Sequence, residues 1–100
     1  MTLRPQDRTR AAAEAMAAEA LAFLAGDEDR LQRFASLAGI DLGQIRDIAG
    51  QPEFLTAIMD HLMGDEPLLL AFAAHAGVKP EAVVRAAHVL GAGPWERDFA

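Results

Sequence analysis

Residues 24–39 read LAGDEDRLQRFASLAG, residues 62–77 read LMGDEPLLLAFAAHAG, and sliding the chain by 38 positions superposes them. Nine of the sixteen pairs are identical, among them Leu24 with Leu62, Gly26 with Gly64, Asp27 with Asp65, Phe34 with Phe72 and Gly39 with Gly77. Every repeated type has an architectural reason. Glycine ends a helix, aspartate at a helix N-terminus accepts orphan backbone N–H groups, and Leu, Phe and Ala at helical spacing pack inward. Each half therefore reads as a helix, a glycine stop, an aspartate cap, a second helix and a glycine turn. A calcium-type loop needs oxygen ligands at many alternating positions, and Gly-Asp-Glu supplies only two or three.

The rest of the chain extends this pattern. A first helix from about Thr9 to Ala25 buries Met16, Ala20, Phe23 and Leu24; a second, capped by Asp27, carries Leu31, Phe34, Ala35 and Ala38 on one stripe. Asp41 followed three residues later by Gln44 is a capping-box signal for a short third helix bearing Leu42, Ile45 and Ile48. Pro52 opens a fourth helix with Phe54, Leu55, Ile58, Met59 and Leu62 inward, Asp65 caps a fifth through Ala76, and Pro80 opens a sixth to about Leu90. The expectation is a single all-α domain over residues 1–100, a compact bundle of about six helices built from two pseudo-repeated three-helix units. Residues 1–8 read as a basic flexible arm and 91–100 as a C-terminal tail.

Hydrophobic residues at 52% and charged ones at 24% give a globular balance, and 100 residues suffice for a core that needs no metal, disulfide or cofactor to fold. With no cysteine there is no thiol chemistry. Glu14 and Glu19 interrupt the alanine-rich start where a secretory signal would be uniformly apolar, and no run of about 18 apolar residues exists. The expected setting is cytoplasmic, off the membrane. Arg4, Arg8 and Arg10 against Asp7 give the first ten residues +2, so the remainder carries −8 of the net −6. An acidic body repels phosphate backbones.

Residues with chemical potential are few and mostly explained by position. His61, His75 and His88 each fall in the last turn of a helix, where imidazole interacts with unpaired carbonyls. The cluster Asp60, His61, Asp65 and Glu66 is the densest, but neighbours on a helix point about 100° apart and make poor joint ligands. Ser36, the only serine, has no glycine elbow, and no phosphate-binding loop or dinucleotide fingerprint is present. The chain is expected to be no enzyme, with no catalytic, cofactor or metal residues.

Two features remain. Ala73, Ala76, Gly77, Val78, Val83 and Arg85 have the spacing of a helix-turn-helix corner. The polar positions that would read base edges are poor, however: Pro80, Glu81, Ala82 and Val84, with only Lys79 and Arg85 cationic. The fifth helix adds Leu68 and Leu70 to its packed stripe where the second has Arg30 and Gln32, so it is apolar nearly all round. Such a helix is central in its bundle, or else presents a patch to a partner or a second copy. Trp95 and Phe99, four apart, either cover the core or anchor another protein.

The chain from Ala15 to Leu90, above all the Gly-Asp-acid steps and FLTAIMDHLMGDEPLLLAFA at 54–73, resembles a small alphaproteobacterial family catalogued as domain of unknown function 3572. The resemblance implies short, stand-alone helical bacterial proteins of the cytosol. It implies no activity, substrate or catalytic residue. The sequence thus points to a non-enzymatic protein-interaction or adaptor module, contacting an unidentified protein or another copy through Leu68, Leu70, Trp95 and Phe99. The alternative is a divergent helix-turn-helix-like nucleic-acid binder using Lys79, Arg85 and the Arg4, Arg8, Arg10 arm.

Overall fold

The computed structural model describes residues 4–92, which form α1 (Pro5–Ala25), α2 (Glu28–Ala38), a 3-10 turn (Leu42–Gln44) running into α3 (Ile45–Ile48), α4 (Pro52–Met63), α5 (Glu66–Ala76) and α6 (Pro80–Val89). Among the described residues there is no strand. Asp27 Oδ1 accepts from the amides of Asp29 (3.0 Å) and Arg30 (3.2 Å) to open α2, and Asp65 Oδ1 accepts from the Leu68 amide (3.2 Å) to open α5. Asp41 accepts from the Gly43 amide at 3.0 Å while the Gln44 side chain accepts from the Asp41 amide, which completes the capping box.

The helix exits use one motif three times. Gly39 and Gly77 sit at φ 70° and 71°, the left-handed region that a side chain disfavours, and the next amide reaches back to the carbonyl five residues earlier: Ile40 to Ala35 at 2.8 Å, Val78 to Ala73 at 3.0 Å. Gly91, assigned to the tail on sequence, repeats the turn at φ 79°, with the Ala92 amide donating to the Ala87 carbonyl at 2.8 Å. Gly26 and Gly64 differ. Their φ values of −74° and −87° are helical, and the chain leaves the helix through the non-helical backbone of Asp27 and Asp65.

Residues 5–8, expected to belong to a basic flexible arm, are helical, because α1 already begins at Pro5; residues 1–3 lie outside the described residues. Proline at the first helical position loses no hydrogen bond there, and the Thr9 hydroxyl donates to the Pro5 carbonyl at 2.9 Å. Arg8 and Arg10 are therefore helical, exposed residues, and Arg10 pairs with Glu14 at 3.5 Å.

The centre of the bundle is α1, and the expectation that α5 would take that place is corrected. Ala13, Ala17, Ala20 and Leu24 recur at four-, three- and four-residue steps and are almost fully buried, so α1 presents a narrow seam of small side chains that α2, α4, α5 and α6 all approach. All five inward residues named for α4 are buried, with Ile58, Met59 and Leu62 fully so. α5 buries Leu69, Phe72 and Ala73 only.

The third helices of the two sequence-matched halves differ. α3 is four residues long with nothing buried, whereas α6 is ten residues long and buries Val83, Ala86 and Ala87 against α1, α4 and α5. α5 and α6 meet at 106°, the steep corner that the Ala-Gly-Val spacing foretold. The Thr56 hydroxyl on α4 donates to the Leu90 carbonyl at 3.0 Å and ties the end of α6 to the core. Among the described residues no single helix is long and apolar enough to cross a membrane.

Candidate functional site

The apolar surplus of α5 divides along the helix. Leu69 is buried, Leu68 is half-buried beside the core, and Leu70 is 45% exposed. Successive residues on a helix point about 100° apart, so three leucines in a row cannot all face one core. Leu70 stands at the edge of an open groove of about 420 Å³ between α5 and α6, floored by Met63, Leu69 and Val84 and rimmed by Glu66 and Glu81. An apolar floor with acidic edges is the result.

On the other side of α6 lies a groove of about 350 Å³ shared with α1. Ala12, Ala13, Ala82 and Ala86 form its floor, Met16 and Val89 its apolar ends, and Arg85 lines it with a cation. Val89 is 37% exposed. Four alanines on two packed helices leave a furrow because a methyl group cannot fill the space between the helix axes. This groove was not singled out on sequence, although alanines spaced four apart on one helix and adjacent on the other were its signal.

A third groove, about 260 Å³, runs between α2 and α4 and is lined by Phe34, Leu37, Ala38, Ala57, Asp60 and His61. Leu37, 68% exposed, lies off the Phe34–Ala35–Ala38 stripe that sequence reading followed. The His61 ring stands edge-on to Phe34 at 5.1 Å, and its Nε2 is buried without a hydrogen-bond partner among the described residues. Burial pushes the imidazole below its ordinary 6.5; Asp65 and Asp60 pull it up, and Arg33 pushes it further down. His75 packs instead on Phe23 at 5.1 Å, so the three histidines do not gather. Among the described residues no three His, Asp or Glu side chains are placed to hold a metal ion.

The cations of the nucleic-acid alternative are not brought into one basic face. Arg4, Arg8 and Arg10 lie along the exposed start of α1, Arg85 faces the alanine furrow, and Lys79 precedes α6 next to the acidic groove through Pro80 and Glu81. α6, the helix that would enter a DNA groove, is wedged among α1, α4 and α5. Trp95 and Phe99 lie outside the described residues.

Residues 10–93 match the family described as protein of unknown function (DUF3572), and the chain belongs to that family. No curated protein and no solved structure gave a match.

Proposed function

We propose that this member of the DUF3572 family is a non-enzymatic interaction module of the cytoplasm that binds protein through the α5/α6 face around Leu70. The observation that carries the reading is the placement of Leu70, 45% exposed above an apolar floor with glutamates at both edges. Full burial of one leucine side chain contributes about 1.5–3 kcal/mol, so a half-exposed leucine continuous with other apolar side chains has much to gain from being covered. Leu68 supports the same face from its half-buried position. The scarcity of nucleophiles, with one serine and no cysteine, supports a binding role over a catalytic one.

Leu70→Ser tests the reading. It should leave the melting curve of the domain nearly unchanged and abolish capture of the partner from native lysate. If Leu70→Ser unfolds the chain, or if capture is unaffected, the face is not a binding surface. Titration of random duplex DNA against the protein at low salt separates the nucleic-acid alternative, which requires binding that weakens steeply as salt is added.

A further inference from the structure

The two grooves that flank α6 carry opposite charge. On the α5 side, Glu66 precedes Leu70 by four residues on α5, and Glu81 of α6 completes an acidic rim. On the α1 side, Arg85 of α6 is the one charged side chain that lines the furrow. The basic flank is local, since the chain as a whole carries −6.

Glu81 and Arg85 are four residues apart on the exposed ridge of α6, the spacing and order that favour an ion pair within a helix. Among the described residues, however, the ion pair formed is Arg10–Glu14, and Glu81 and Arg85 lean to opposite flanks of α6. Neither forms an ion pair within α6 among the described residues. The flanks also differ in relief: Leu70 projects from one, and alanines hollow out the other.

We infer that the α6 face is a self-complementary surface for a second copy of this chain, paired about a two-fold axis running along α6. That rotation exchanges the two flanks. It sets the Leu70 projection and its glutamates over the partner copy's alanine furrow and Arg85, and places the reciprocal contact on the other side of the axis, as an isologous interface requires. Like-charged flanks never face each other, so the geometry selects this pairing over one that turns acid onto acid. The inference rests on the proposed binding role of the Leu70 face and names its partner.

Charge exchange between two exposed positions tests it without touching the core. Sedimentation equilibrium should find the wild-type chain in concentration-dependent dimers, and Glu81→Arg and Arg85→Glu should each be monomeric with unchanged circular-dichroism melting curves. Mixed in equal amounts, the two variants should form a one-to-one heterodimer, and the double variant should dimerise again, because each restores opposite charges across the axis. Trp95→Ser combined with Phe99→Ser should leave the wild-type dimer intact; its loss would assign the contact to the C-terminal aromatics and overturn the inference. A wild-type chain that stays monomeric at all concentrations, or single charge variants that dimerise like wild type, also overturns it. If such a monomer still captures a different protein in a Leu70-dependent way, the two-fold pairing fails while the binding role of the face stands.

Discussion

Phe34 meets the His61 imidazole edge-on at 5.1 Å, and the same 38-residue offset that relates the two halves carries this contact onto Phe72 against Phe23 at 5.7 Å. Residue 23 corresponds to 61 and residue 34 to 72, so each half contributes a phenylalanine from its second helix to a ring on the first helix of the other half. One ring of the four is a histidine, with a nitrogen buried and without a hydrogen-bond partner among the described residues.

That nitrogen makes stability depend on pH. The folded state holds the His61 imidazole below 6.5, so the unfolded chain binds its proton first as pH falls. The His61 contribution is fully favourable above about pH 6.5, declines as pH drops through the window between the unfolded and folded values, and levels off below it. His61→Phe, which copies the residue at the corresponding position of the first half, should flatten this slope and raise stability by about 1 kcal/mol at neutral pH by removing the unpaired buried nitrogen. Urea unfolding of both proteins between pH 5 and pH 8 reads the difference; parallel curves would exclude His61 as the source.

The two kinds of glycine should respond differently to alanine. Gly77→Ala places a side chain at φ 71° and should cost about 1 kcal/mol or more, and Gly39→Ala should behave alike. Gly64 has helical φ, and an added methyl group would meet only the Asp60 and His61 carbonyls at 3.7 Å. Gly64→Ala should therefore be neutral or stabilise by roughly 0.4–1 kcal/mol. Thermal or urea midpoints that move equally for both positions would contradict the assigned backbone geometry.

Removing a cap should destabilise without disturbing the core. Asp27→Ala leaves the Asp29 and Arg30 amides unpaired at the start of α2 and should cost about 0.5–2 kcal/mol, as should Asp65→Ala at α5. Replacement by asparagine, an equally good cap, should recover most of the loss in equilibrium unfolding.

The α1 seam should resist enlargement more strongly than the surface resists polarity. Ala17 and Ala20 are fully buried where other helices approach, so Ala17→Leu should cost about 1–3 kcal/mol through overpacking. Leu70→Ser, on the exposed side of α5, should change stability by about 0.5 kcal/mol or less. A chain in which the leucine change is the costlier of the two would place α5, and not α1, at the centre.

Local features were legible because their causes are local. Asp27, Asp41 and Asp65 announce helix starts by side chains that reach amides two or three residues ahead, Gly39 and Gly77 announce exits by a backbone angle, and the inward face of α4 follows from helical period alone. Gly91 was missed because its turn closes on Ala92, a small residue that gives no hydrophobic signal of its own. Pro5 was missed because arginines around a proline read as an arm until the helix behind them is seen to accept it.

Sequence by itself determined that this chain is helical and where α2, α4 and α5 start and stop, since these depend on neighbours within a few residues. Tertiary structure decided what lies at the centre and what is left outside. Alanine is compatible with either place, and becomes core in α1 because four helices close on it, while it floors an open furrow beside α6 that no other described helix fills. Leucine is drawn inward by its surface area, but three in succession on one helix cannot all follow, and only the packing of α5 against α4, α6 and α1 selects Leu69 for the core and leaves Leu70 at the surface.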